Sequence, residues 1–305
     1  MTPVTSVRIA LLALMALPIL LAMNTTYTMT TTTTTTYTMT KLSYVNITFD
    51  NLTVGAISPT TLQAETGLIA TPINVTNATL VLNVSNATAI SKPNSLLAGN
   101  YTLKYYLGNL SMGTYEFVID LAPDKDLAPP NTTQWTSVYL VGSNGKVLIN
   151  VTFYANATNT TVSGNVTVTT YLSNGTTVTK QLPFQWNLTS NASLNWMELR
   201  VDVNYKVGSV NVYLTNVTSG VIANVSLPFD NTTALEYFEF GGRGGAYYDN
   251  VYLPVPKTML MTTTMIMTNT MTSNSSTTIP VPLVLALPGA LAALRKRKKS
   301  KAIQQ

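Results

Sequence analysis

Between residues 41 and 256 apolar and polar side chains alternate in short runs. Met197–Asn204 alternates without a fault, with Leu199, Val201 and Val203 on one parity and Glu198, Arg200 and Asp202 on the other. Ser209–Leu214 does the same, setting Val210, Val212 and Leu214 against Ser209, Asn211 and Tyr213. Leu80–Ser85, Val147–Tyr154 and Asn165–Leu172 repeat the pattern. A period of two places successive side chains on opposite faces of a strand, so each run predicts one packed face and one wet face. Turn residues separate the runs at Ser143-Asn144-Gly145, Ser173-Asn174-Gly175 and Lys206-Val207-Gly208. No run in 41–256 has helical apolar spacing. Many short alternating strands joined by Gly/Asn turns predict an all-β fold, a two-sheet antiparallel sandwich.

The flanks follow other rules. Residues 1–23 hold one basic residue, Arg8, and then an uncharged apolar run from Ile9 to Met23. That run has the length of a signal h-region and reads as a signal peptide or an uncleaved signal anchor. Residues 24–40 and 257–278 are Thr-rich tracts, the second interspersed with methionine and serine. Such tracts bury too little apolar area to fold alone and are expected to be disordered stalks. Residues 279–294 are uncharged and apolar, and 295–305 carry a basic cluster. Apolar side chains favour hydrocarbon while a basic block stays cytoplasmic, so the expected arrangement is a short terminal membrane helix with a basic tail inside. The localisation that follows is the cell membrane, type I, with residues 41–256 as an extracellular β-sandwich ectodomain.

Charge changes the picture only when it is divided. The chain carries a formal +5, but six of its cations lie in 295–305, and 41–256 holds nine Lys/Arg against twelve Asp/Glu. The folded part is mildly acidic, so no basic face for nucleic acid is expected. Cysteine and histidine are both absent. Their absence excludes Cys/His zinc sites, thiol nucleophiles and triads with a histidine base.

Asparagine usage is the strongest single feature. Asn-x-Ser/Thr occurs at 21 of 28 asparagines. With Ser and Thr near a quarter of the chain, chance gives about seven. The motif marks surface positions in an exported chain. On a strand, the asparagine and the hydroxyl residue two positions later share one face, and the residue between them faces the other way. The candidate glycosylation sites are Asn46, Asn51, Asn74, Asn83, Asn100, Asn109, Asn131, Asn150, Asn165, Asn174, Asn187, Asn216, Asn224 and Asn231.

The C-terminal part of 41–256 carries an ordered set of strings. Leu194–Asp202 places Trp196 before an amphipathic strand, and Gly208-Ser209-Val210-Asn211-Val212-Tyr213-Leu214 follows. Phe238-Glu239-Phe240-Gly241-Gly242 and Ala246-Tyr247-Tyr248-Asp249-Asn250-Val251-Tyr252-Leu253 close the set. In that order they resemble the concanavalin A-like and laminin-G-like jelly rolls, over residues 194–253. The resemblance implies a jelly-roll sandwich whose first and last strands pair, with one concave sheet that binds glycans or proteins. In the glucanase branch, catalytic carboxylates stand as Glu-x-Asp-x-x-Glu on one strand. Here the nearest match is Glu116 with Asp120, about 13 Å apart along a strand, which exceeds the separation of a glycosidase pair. The third carboxylate is missing, and the chain is expected not to be an enzyme. Asp50 and Asp249, each in a Phe/Tyr-Asp-Asn setting on neighbouring strands, are candidate ligands of a structural calcium ion. The alternative is that both cap strand ends or turns.

Aromatic platforms for sugars need exposed rings. Trp135 and Trp186 flank loops and are the candidate ligand-binding residues, whereas Trp196 abuts a buried strand and reads as core. The sequence thus points to a membrane-anchored, N-glycosylated surface protein with a non-catalytic jelly-roll domain for adhesion or for glycan or protein recognition. Its expected partners are the membrane, glycans or other surface proteins. The alternatives are a structural subunit of a surface layer or filament, and a degenerate glycoside-active enzyme. The C-terminal order of Ser/Thr tract, apolar segment and basic cluster also resembles archaeal sorting tails that are cut and replaced by a lipid.

Overall fold

The computed structural model describes residues 6–8, 25–74, 79–124, 134–157, 162–188 and 196–273. Most of the signal region, the apolar segment 279–294, the basic tail 295–305 and Asn131 lie outside these residues. Among the described residues no helix is long and apolar enough to cross a membrane.

In chain order the elements begin with β1 (Ser6–Arg8), β2 (Thr25–Ile47) and β3 (Gly55–Ala56). Helix α1 (Pro59–Thr66) follows, then β4 (Ile69–Pro72), β5 (Val81–Ser85), β6 (Ser95–Gly99) and β7 (Tyr101–Leu110). The middle of the chain supplies β8 (Thr114–Pro123), β9 (Gln134–Gly142), β10 (Val147–Ala157), β11 (Val162–Tyr171) and β12 (Thr177–Leu188). The last five strands are β13 (Met197–Asn204), β14 (Ser209–Asn216), β15 (Ile222–Pro228), β16 (Leu235–Gly242) and β17 (Ala246–Ser273). One sheet has ten strands in the order β15-β14-β13-β8-β17-β6-β5-β3, with β2 paired to β17 and β1 to β2. The other has seven, in the order β12-β11-β10-β9-β16-β7-β4. The first and last long strands, β2 and β17, are neighbours in one sheet, as the jelly-roll reading expects.

The chain divides into two compact units, one spanning Thr40–Thr258 and the other made of the stretches up to Met39 and from Met259 onward. In the first unit the inward parity of each strand fills the space between the sheets. Leu199, Val201, Val203, Val210, Val212 and Leu214 are all buried, while Glu198, Arg200, Asp202, Ser209 and Asn211 are half-buried on the opposite face. Side chains of the two sheets meet at Phe117 and Phe238, whose rings stack at 6.0 Å with 2° between planes. Burying a side chain of this size is worth about 1.5–3 kcal/mol, so the alternating runs supply most of the driving force.

The Phe-Gly-Gly string has a steric cause. A Cβ at Gly241 would lie 2.2 Å from the Tyr101 carbonyl oxygen, and one at Gly242 would lie 2.6 Å from that of Trp135. β16 runs between β7 and β9, and only glycine lets the neighbouring backbones come so close there.

Two elements carry no periodic signal. The first is a short helix. α1 opens with Ser58 as N-cap, its hydroxyl accepting from the Thr61 amide at 3.1 Å, and with proline in its first turn. Gly67 closes it in the left-handed conformation, at φ 76°. Only Leu62 of this helix is buried, so no apolar stripe announces it. The second is the pair of threonine tracts: residues 25–40 and 257–273 are strand, as parts of β2 and β17. Threonine is β-branched and suits the extended backbone, and the pairing of β2 with β17 satisfies backbone groups that a lone tract would leave to water.

Candidate functional site: the outer face of the ten-stranded sheet

Side chains on β8, β13, β14 and β17 that point away from the core form one array. Registration aligns them: Glu198 lies opposite Asp120, and Asp202 opposite Glu116. Asp249 lies opposite Asp120 from the other side. Three carboxylates therefore cross three adjacent strands in one row. Asp120 is 6% exposed, and Asn250 Nδ2 donates to its Oδ2 at 2.9 Å. Burial pushes Asp120 up to about 6, with the Glu198 and Asp249 charges adding to the shift and the Asn250 bond opposing it.

Asp249 is fully buried and its oxygens are occupied. Oδ2 accepts from the Ile90 and Ser91 amides at 3.0 and 2.8 Å. Oδ1 accepts from the Ser91 hydroxyl and the Asn250 amide, each at 2.9 Å. Burial nevertheless holds its carboxyl above the ordinary range. Asp50 has a different partner, the Asn94 amide at 3.2 Å. The two aspartates thus pin opposite ends of the segment 90–94 to the sandwich. Among the described residues no group of three or more His, Cys, Asp or Glu is placed to hold a metal ion.

A second row carries the array outward. Arg200 reaches Asp202 through Nε at 2.9 Å and Nη2 at 2.7 Å, and its Nε lies 3.2 Å from Glu116 Oε2. The guanidinium also sits 5.3 Å from the centre of the Tyr213 ring. These partners lock a planar cation flat against the sheet, although exposed pairs of this kind add little stability. Beside them Tyr44 of β2 stacks on Tyr252 of β17 at 4.7 Å and 5°. Burial raises the Tyr44 hydroxyl, with Glu116 and Asp202 among its neighbours, so the stacked rings border the same row. The accessible part of the face is acidic, with Glu116, Glu198 and Asp202 against Arg200, and Asp120 nearly buried beside them.

The position of the sequons sets this face apart. β13, β8, β17 and β6 are consecutive neighbours in the sheet and contain no Asn-x-Ser/Thr. β14 has one only at its last residue, Asn216. The surrounding strands do carry them, at Asn224 on β15, Asn83 on β5 and Asn46 on β2. Two asparagines inside this window stand in Asn-Val-Tyr strings, Asn211-Val212-Tyr213 and Asn250-Val251-Tyr252. Elsewhere the same string ends in Thr or Ser, as at Asn150, Asn165 and Asn224. Tyrosines 213 and 252 therefore occupy the positions where a hydroxyl residue would complete a glycan acceptor. In the seven-stranded sheet β10, β11 and β12 each carry a sequon and β9 and β16 do not. Twelve of the fourteen candidate asparagines have described side chains and none is buried; Asn83, Asn100, Asn150 and Asn216 are half-buried and the other eight exposed.

The tryptophans fall differently from expectation. Trp135 is 1% exposed, its indole nitrogen donates to the Gly245 carbonyl at 2.7 Å, and Gly244 leaves room for its ring. A buried ring cannot stack on a sugar, so Trp135 is core and not a platform. Trp186 lies on β12, opposite Gly164 of β11, and its side chain is outside the described set. Trp196 is buried as expected, packing with Ala122 and Tyr247. Its ring nitrogen donates to the Thr88 hydroxyl at 2.8 Å. The tyrosines of the window were missed by a search for tryptophan, and the signal that finds them is the broken sequon.

No protein-family model matches the chain, and no curated protein matches it. Among solved structures, its neighbours are lectin-like and related jelly-roll folds. A CBM2 module of the evolved Dit of Lactobacillus casei BL23 phage J-1 is 9% identical, with a TM-score of 0.42, over 71% of this chain and 97% of that one. An alginate lyase from Klebsiella pneumoniae is 11% identical, with a TM-score of 0.39, over 64% and 94%. Basic winged bean lectin, solved with Tn-antigen, is 6% identical, with a TM-score of 0.37, over 72% and 99%. At these values what the protein does is read from its own residues.

Proposed function

We propose that this protein is an exported, membrane-anchored surface glycoprotein whose sandwich binds uncharged glycans through the outer face of the ten-stranded sheet, without cleaving them. The observation that carries this reading is the sequon-free window on β13, β8, β17 and β6 in a chain where 21 of 28 asparagines are sequons. Oligosaccharides on β5, β10, β11, β12 and β15 would screen those strands and leave β13, β8 and the Tyr252 part of β17 open, as they would β9 and β16 of the other sheet. Its chemistry suits a sugar. Flat tyrosine rings stack on the apolar faces of pyranoses, and fixed carboxylates and a guanidinium bond to hydroxyls. The acidic balance repels uronates and sialylated chains and favours neutral ones.

Binding without cleavage is supported by the state of the buried carboxylates. Glycoside hydrolysis requires two carboxyl groups flanking the scissile bond. Asp120 is 6% exposed, and Asp249 is fully buried with both oxygens engaged. Anchoring is supported by the apolar segment 279–294 followed by the basic cluster.

A glycan array probed with residues 25–273, made in a glycosylating host, tests the reading. Neutral oligosaccharides should bind, acidic ones should not, and Tyr252→Ala should weaken binding about tenfold, roughly 1.4 kcal/mol. Tyr106→Ala, on the other sheet, should leave binding unchanged. Equal binding by both variants, or binding confined to acidic chains, would contradict it.

A further inference from the structure

The second unit carries a feature that glycan binding does not use. On β17, Met259, Met261, Met265, Met267 and Met271 all have odd numbers, and all are exposed, between 37% and 61%. On β2, Met29, Tyr37 and Met39 follow the same parity and are exposed at 59%, 40% and 43%. Residues two apart on a strand share a face, so β17 brings a methionine row to one side and threonine with Leu260 and Ile266 to the other, while the odd parity of β2 carries Met29, Tyr37 and Met39 among threonines. Apart from the three residues of β1 registered on Thr34–Thr36, the pairing of β2 with β17 is the described sheet structure of this unit. A two-stranded ribbon is marginal in water; a stable one needs more strands or a second layer over its apolar face.

Away from Arg8, which is registered on Thr34, the ribbon carries few guards against self-pairing. No charged residue stands between Arg8 and Lys41, or between Lys257 and Arg295. No proline interrupts residues 19–58 or 257–279. Edge strands that remain solitary carry lysine, proline or a bulge, and long uncharged β-prone segments pair with their own kind.

We propose that this ribbon is a self-association surface, and that its occupant is the same ribbon of a second copy packed methionine face to methionine face. Identical uncharged faces meet without repulsion, and methionine adapts to an imperfectly matched partner. The strip from Met259 to Ser273 is about 50 Å long at ~3.3 Å per residue, enough for a continuous second layer. Hydrocarbon is the poorer occupant, because a ribbon with open edges leaves backbone groups unsatisfied in lipid. The other face, mainly threonine with Leu260 and Ile266, stays outside the pair.

The absence of native cysteine makes the test direct. Met265→Cys and Thr264→Cys are introduced singly into the full chain and oxidised on intact cells. Met265→Cys should give a disulfide-linked dimer at least fivefold more efficiently than Thr264→Cys, which faces the other way. The triple substitution Met261→Thr, Met265→Thr, Met267→Thr keeps strand propensity and removes the row. It should convert the detergent-solubilised full chain from dimer to monomer in sedimentation, with the thermal transition of the sandwich unchanged. Equal cross-linking at 264 and 265 would overturn the proposal. So would a dimer that survives the triple substitution, or a monomeric parent chain that binds neutral lipid vesicles through the methionine row.

Discussion

Asp120 couples the candidate site to stability. Its carboxyl titrates at about 6 in the fold, against 3.8 for an ordinary aspartate, chiefly because it is buried. The folded chain then holds a proton that the unfolded chain has already released. Stability from this group is greatest below 3.8, falls as pH rises toward 6, and is lost above it. The span of about two units corresponds to at most about 3 kcal/mol. Asp120→Asn keeps an acceptor for Asn250 and removes the charge. The variant should exceed the parent by roughly 1–3 kcal/mol at pH 7.5 and match it near pH 3.5, read from urea denaturation at the two pH values. Buried Asp249 shifts in the same direction but is common to both proteins. Equal stability at pH 7.5 would mean that Asp120 carries no such cost. None of this is legible in sequence, because the row of Glu198, Asp120 and Asp249 joins strands distant in the chain, and only the register brings them together. Trp135 failed for a related reason. Its neighbourhood reads as a loop flank, while the space above its ring is created by Gly244, more than a hundred residues away.

Elements were legible in proportion to their periodicity. β13 and β14 were readable to the residue because both faces are fully specified, Leu199 and Val210 inward and Glu198 and Asn211 outward. α1 was not, since a single buried leucine gives no stripe, although its Ser-Pro start and glycine stop are ordinary helix signals. Ser58 has to do more at such a helix. Ser58→Ala should cost about 1 kcal/mol, seen as a fall in the thermal midpoint of the sandwich, and Ser58→Asp should restore it. An unchanged midpoint would place the helix outside the cooperative unit. The threonine tracts give no strand signal, because low apolar content argues against a packed core and does not argue against a paired ribbon.

At the scale of the whole molecule, a surface is defined by what the sequons avoid. Asn46, Asn83, Asn216 and Asn224 stand around a patch in which the Asn-Val-Tyr strings of 211–213 and 250–252 replace the acceptor motif with a tyrosine ring. Fold class and outward parity were readable from residue order. The window was not, because it is a property of adjacency between strands that the chain visits far apart. The most direct test converts the window into its surroundings. Tyr213→Thr turns Asn211-Val212-Tyr213 into a complete acceptor on an outward face, and Tyr213→Phe leaves the string broken. Glycan-array binding is then measured for both variants of residues 25–273 from the glycosylating host, with glycopeptide mass spectrometry reporting occupancy at Asn211. The account predicts that Tyr213→Phe retains binding, while Tyr213→Thr acquires a glycan at Asn211 and loses binding by at least tenfold. A glycosylated Tyr213→Thr protein that still binds like the parent would contradict it.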